Sequence, residues 1–254
     1  MKRLENKVAI ITGGSGSIGF TTAKKLANEG AKVLLVDIDE ESLKERQQEA
    51  EKKGLDISYA VADVTDADDV QNYVDTALER YGKIDFFFNN AGIEGVVKPI
   101  SEYPEDTFDQ VLAVNVKGVF LGMKYVTPKM ENGGSVVITS SVAGLVGSPG
   151  MVAYNTSKHA IIGTMRVAAQ ELGERNIRVN TVHPGPVDNR MMRSLEEGAK
   201  PGHGEEVKAG YEQQIPMHRY AQPEDISNMV TFLFSDESSY AHGNTFVVDG
   251  GFTT

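Results

Sequence analysis

Short runs of β-branched and aliphatic residues recur along this chain, and each is followed by a longer stretch of mixed polarity. KVAIIT (7–12), AKVLLVD (31–37), ISYAVAD (57–63), KIDFFFN (83–89), SVVITS (135–140), IRVNTV (177–182) and TFVVD (245–249) read as strands. Their apolar character is nearly continuous, which suits strands covered on both faces. Residues 18–29, 40–53, 67–81, 106–130, 154–174 and 223–234 read as helices. Such alternation predicts a parallel, doubly wound sheet of about seven strands with helices on both faces. Right-handed crossovers then gather the strand C-termini on one edge, where ligands bind at a switch in strand order. No linker or repeat divides residues 1–254, so one domain is expected. The stretch 189–215 breaks the rhythm: it is polar, interrupted by glycine and rich in both charges. An irregular, mobile substrate lid is expected there.

Composition removes several functions. The chain has no cysteine, so disulfides, thiolate metal ligands and a cysteine nucleophile are excluded. The formal charge is −11 and no basic stripe is visible, so no nucleic-acid partner is expected. No run of 18 apolar residues occurs, and the N-terminal apolar run is too short for a secretory signal. No membrane partner is expected, and a cytoplasmic location is. The five histidines show no metal-ligand spacing, so no catalytic metal is expected, and His183 reads as a packed strand-end residue.

The first strand runs through TGGSGSIG (12–19) into a helix. Glycines let the backbone approach a pyrophosphate, and the helix N-terminus offers free N–H groups with partial positive charge. The second strand ends at Asp37, close to the offset at which an acid binds the adenosine ribose. A carboxylate there accepts from both ribose hydroxyls and repels a 2′-phosphate. Ile38 follows, and the loop carries no Arg or Lys, so NAD(H) is the expected cofactor. Further on, AYNTSK (153–158) places Tyr154 and Lys158 at i and i+4, on one helical face.

Taken together these residues resemble the short-chain dehydrogenase/reductase family over nearly the whole chain. The family's T-G-x-x-x-G-x-G appears as TGGSGSIG, NNAG (89–92) follows the fourth strand, and Asn115 sits in the next long helix. Ser141 ends the fifth strand, Tyr154 and Lys158 complete Y-x-x-x-K, and HPGPVDN (183–189) and VVDGG (247–251) match later motifs. The resemblance implies a Rossmann-type fold and a catalytic set of Asn115, Ser141, Tyr154 and Lys158. Tyr154 would exchange the substrate proton, and Lys158 would lower its pKa and hold the nicotinamide ribose. Ser141 would orient the substrate oxygen, and Asn115 would join a water relay to Lys158. The cofactor would run along Gly13, Ser15, Gly16, Ser17, Ile18 and Gly19. It would continue past Asp37, Ile38, Asp63, Val64, Asn90, Ala91 and Gly92 to Tyr154, Lys158, Pro184, Gly185, Val187 and Asn189. Asp63 would lie beside the adenine, although on its own it reads as a helix N-cap.

Two positions depart from the family pattern. Ser17 replaces the usual middle glycine, and if it needed positive φ the strain would be about 1–3 kcal/mol. Asn189 stands where a threonine commonly touches the nicotinamide carboxamide. The pocket is expected from 93–98, 142–152 and 189–215, with Val142, Leu145, Val146, Met151, Met191 and Met192 favouring a small, largely hydrophobic carbonyl or secondary alcohol, cyclic ones included. Glu94 either accepts from a second polar group of the substrate or faces water. The alternatives are a 3-oxoacyl carrier-protein reductase and a non-catalytic dinucleotide sensor. Helix 154–174 has apolar residues on more than one face, as a helix buried on two sides does. The family resemblance implies a homodimer or homotetramer.

Overall fold

The computed structural model describes residues 3–254. Seven strands form one parallel sheet in the order β3-β2-β1-β4-β5-β6-β7. They are β1 (Val8–Thr12), β2 (Lys32–Asp37), β3 (Ile57–Val61), β4 (Phe86–Asn89), β5 (Ser135–Thr139), β6 (Arg178–Pro184) and β7 (Thr245–Val248). The helices are α1 (Ser17–Asn28), α2 (Glu40–Glu51), α3 (Ala67–Tyr81), α4 (Glu105–Leu112), α5 (Val119–Val126), α6 (Val152–Leu172), α7 (Arg190–Ala199), α8 (Gly204–Gln214) and α9 (Pro223–Phe234). Two apolar layers sandwich the sheet. Ile10, Leu34, Phe87, Val136 and Val179 face α3, α5 and α6, while Ile11, Leu35, Phe88, Val137 and Val182 face α1 and α9. On the second face the Phe86 and Phe234 rings stack at 4.8 Å. All seven expected strands and the Rossmann-type architecture are present.

Two expectations are corrected. The stretch 106–130 is not one regular helix: α4 passes through a π-helical turn, Ala113–Gly118, before α5 begins. Such a turn redirects the side chains within it and is frequent at functional sites. Nor is 189–215 irregular, because it holds α7 and α8. The Asn189 side chain caps α7 by accepting from Met192 N at 3.0 Å, and Met191 and Leu195, one turn apart, pack inward. Glycine and polarity hid an amphipathic helix held by its cap.

The order of the strands sets β1 beside β4, so chains leave their C-termini in opposite directions and open a crevice there. Asn90 braces this switch point. Its Nδ2 donates to Thr12 O at 3.1 Å, and its Oδ1 accepts from Thr139 Oγ1 at 2.8 Å, tying β1 to β5.

Candidate active site

A cleft of about 920 Å³ runs along the strand C-termini. Every expected cofactor residue, from Gly13 through Asn189, borders it. At one end Gly13 turns the chain with φ 63°, and α1 follows Gly16, which gives it no side-chain cap. The uncapped N–H groups there suit a pyrophosphate. Ser17 is the first residue of α1 and is not among the residues with positive φ, so the strain feared at this departure is absent.

Asp37 lies at the same end, but its carboxylate is not bare. Oδ2 accepts from Ser15 N at 3.1 Å and from Ser15 Oγ at 2.6 Å, and Oδ1 accepts from Ile38 N at 2.8 Å. The acid thus holds the glycine turn against β2. The absence of a cation from the loop is offset by tertiary structure: Arg46 of α2 borders the cleft and donates through Nε to Ser15 O at 3.1 Å. Its guanidinium lies 5.1 Å from the Phe20 ring centre. Asp63 is not a helix N-cap, since Asp66 caps α3; Asp63 instead accepts from Thr65 N at 2.8 Å within the turn.

At the other end α6 brings Tyr154 and Lys158 into the cleft. Its first turns are fixed to β5 where Ser140 Oγ donates to Lys158 O at 2.9 Å. Gly144 allows this approach, because a Cβ there would meet Lys158 O at 2.6 Å. Lys158 Nζ donates to Thr139 O at 2.9 Å and stands 5.5 Å from the Tyr154 ring centre. Burial pushes the phenol up to about 12, against a lowering contribution from the Ser141 hydroxyl and a further raising one from Glu94. Burial also pushes the Lys158 ammonium down to about 8. Burial thus outweighs the Ser141 hydroxyl at the phenol, while Lys158 Nζ is engaged by the Thr139 carbonyl.

Ser141 is held by a residue that the sequence marked only as packing. His183, fully buried, places Nδ1 2.9 Å from Ser141 O and Nε2 2.8 Å from Thr181 Oγ1. A carbonyl only accepts, so Nδ1 carries the proton and the neutral ring accepts from Thr181. Burial holds His183 below its usual pKa, consistent with that neutral form.

Asn115 is fully buried in the π-helical turn. Its Oδ1 accepts from Ile93 N at 2.8 Å, and its Nδ2 donates to Ile93 O at 2.9 Å and Ser157 Oγ at 3.0 Å. The amide pairs with Ile93 as a neighbouring strand would. Gly92 separates it from Lys158: a Cβ on Gly92 would lie 3.2 Å from Asn115 Oδ1 and 3.4 Å from Lys158 Nζ.

Val142, Met151, Met191 and Met192 border the cleft, joined by Leu195. Leu145 and Val146 do not; they are partly exposed on the surface beyond it. Glu94 fits neither expectation made for it. Its carboxylate is buried and paired with Arg190, which the sequence reading missed and which does border the cleft.

A family model described as enoyl-(acyl carrier protein) reductase matches residues 13–253. The levodione reductase of Leifsonia aquatica is 37% identical over 253 residues, covering 98% of this chain and 95% of that protein. This chain belongs to the short-chain dehydrogenase/reductase family. The 3-oxoacyl carrier-protein reductase of Thermotoga maritima is 40% identical over 251 residues, which is 98% of each chain. The structure of an NAD+-bound xylitol dehydrogenase superposes with a TM-score of 0.93 at 37% identity, covering 98% of this chain and 100% of the other. As a short-chain dehydrogenase/reductase the chain is an oxidoreductase. Asn189, unusual for the family, supplies the α7 cap that a threonine hydroxyl can also give, and its side chain borders the cleft. Among the described residues no helix is long and apolar enough to cross a membrane.

Proposed function

We propose that this enzyme transfers a hydride between NAD(H) and the carbonyl or secondary alcohol of a small, largely hydrophobic substrate. The observation that carries the reading is one cleft with Asp37 beside a glycine turn at one end and Ser141, Tyr154 and Lys158 at the other. Gly13 to Gly19 would hold the pyrophosphate, Asp37 the adenosine ribose, and Lys158 with Asn189 the nicotinamide half. When bound, the nicotinamide supplies or accepts the hydride. Tyr154 gives its phenolic proton to the substrate oxygen in reduction and takes it back in oxidation. Ser141, fixed by His183 through its own carbonyl, donates a hydrogen bond to the same oxygen. Asn115 fixes the Gly92–Ile93 turn beside Lys158. Helices α7 and α8 serve as the substrate lid, with Met191, Met192 and Leu195 presenting apolar surface.

Incubation with NAD+, and separately NADP+, against cyclic and acyclic secondary alcohols tests this. Turnover with NAD+ is expected, and turnover confined to NADP+ would overturn the assignment of Asp37. Asp37→Ser should raise the NADP+ to NAD+ ratio of kcat/KM by about tenfold or more, since a like charge facing a phosphate is removed while Arg46 stays.

The same enzyme works as an oligomer in this reading. Leu112, Val116 and Phe120 form an apolar groove with Thr156 and Ala160 of α6, and Phe120 is 52% exposed. A second copy of the chain covers it with the same face, as two-fold symmetry requires. Size-exclusion chromatography with light scattering should give a mass of at least twice 27.6 kDa. A 27.6 kDa species alone would remove this assignment.

A further inference from the structure

Arg46 of α2 brings a positive charge to the end of the cleft where Asp37 carries a negative one. The two side chains hold Ser15 between them. Asp37 Oδ2 accepts from the Ser15 N–H and hydroxyl, and Arg46 Nε donates to the Ser15 carbonyl at 3.1 Å. Beneath the guanidinium lies the buried Phe20 ring of α1, its centre 5.1 Å from Arg46 Cζ. A hydrogen bond at one edge and an aromatic face below fix the cation before any ligand arrives. Its terminal nitrogens stay open. Nη1 and Nη2 make no hydrogen bond among the described residues. Glu49, the acid paired with Nη1, stands 4.0 Å away and lies closer to Lys24 and Lys53, at 3.2 and 2.9 Å. The Arg46 side chain is 37% exposed, at the border of the cleft.

The carboxylates at this end are turned to donors of their own. Asp37 accepts from Ser15 N, Ser15 Oγ, Ile38 N and Asp39 N, at 2.6 to 3.4 Å. Asp39 and Asp63 also border the cleft, and they accept from Ser42 and Thr65. Arg46 is thus the charged group there whose donors face no partner. We propose that Arg46 is a specificity-determining residue that receives the 2′-phosphate of an adenosine ribose held at Asp37, giving the enzyme NADP(H) as a second, weaker cofactor beside NAD(H). A phosphate on that ribose lies close to Asp37, and Ser15 links Asp37 directly to Arg46. A guanidinium offers paired N–H groups that match phosphate oxygens. The like charge of Asp37 opposes the same phosphate and keeps NAD(H) the preferred cofactor.

The inference rests on the cleft as a dinucleotide site, and the test separates the two. Calorimetry measures NADH and NADPH binding to wild type, Arg46→Gln and Arg46→Lys, with melting temperatures to show that each is folded. Wild type should bind both, NADH about ten- to a hundredfold more tightly. Arg46→Gln should weaken NADPH by about tenfold or more and NADH by less than about threefold, the share due to losing the Ser15 bond. Arg46→Lys keeps the charge and should hold NADPH to within about threefold of wild type. Arg46→Met keeps an unbranched stem over Phe20 and gives the same comparison if Arg46→Gln folds poorly. A mere brace for the glycine turn would serve both cofactors alike, so equal losses of NADH and NADPH overturn the inference. So does a wild type that binds NADH and shows no binding of NADPH. A wild type that binds neither overturns instead the dinucleotide reading beneath it.

Discussion

Tyr154→Phe should lower kcat/KM by about 10³-fold in both directions, within the range that a positioned acid or base contributes. The ring stays, so its packing with Ala143, Met151, Met191 and Leu195 is kept and only the exchangeable proton is lost. NADH affinity, read by calorimetry, should change less than about twofold, because an interaction made only in the transition state leaves ground-state binding alone. The two directions should differ in pH dependence. With the phenol held up to about 12, it carries its proton throughout the neutral range and is ready to act as an acid. Reduction by the wild type should therefore be nearly flat from pH 6 to 8 as far as Tyr154 is concerned. Oxidation needs the phenolate, which from about 12 lies roughly 7 kcal/mol uphill at pH 7, so its rate should climb with pH. A Phe variant keeping more than a tenth of wild-type activity would move the proton exchange to another group.

The sheet was legible because strand–helix alternation is a local pattern repeated over the whole chain. The catalytic pair was legible for a similar reason: Tyr154 and Lys158 are one helical turn apart, so sequence spacing is spatial spacing. Asn115 was legible as a polar residue in an apolar run, but its π-helical turn was not, since no residue type there demands the extra register. Contacts between distant segments left no signal. Glu94 carries no mark of a partner 96 positions away, and Arg46 gives no hint that α2 returns it to the glycine turn. Nor did the spacing of Tyr154 and Lys158 show that the carbonyl of Thr139, from another strand, engages the ammonium. The helices within 189–215 were not legible because a cap outweighed composition: Asn189 caps α7 despite the glycines and charges that follow.

Gly19→Ala should weaken NADH binding by about a hundredfold, the equivalent of about 3 kcal/mol, through overpacking of the glycine turn. A Cβ at Gly19 would stand 2.2 Å from Gly13 O, 3.0 Å from Gly13 C and 3.1 Å from Gly14 Cα. All three are backbone atoms, so no side-chain rotation relieves the clash. The turn cannot retreat either. A Cβ on Gly14 would already lie 2.8 Å from Leu35 Cβ, and one on Gly13 would lie 3.0 Å from Ala91 Cα, so β2 and the loop after β4 close off both sides. The start of α1 must then swing outward, taking its free N–H groups away from the pyrophosphate position. Gly16→Ala makes the comparison sharp. Its nearest contact would be Gly13 O at 3.3 Å and its φ is −68°, which alanine adopts freely, so its effect should stay within about threefold. Calorimetry of NADH binding, with melting temperatures to show that each variant is folded, separates them. Equal losses at Gly16 and Gly19 would mean that the turn is sensitive as a loop, and that the close packing of α1 on Gly13 is not what shapes the phosphate site.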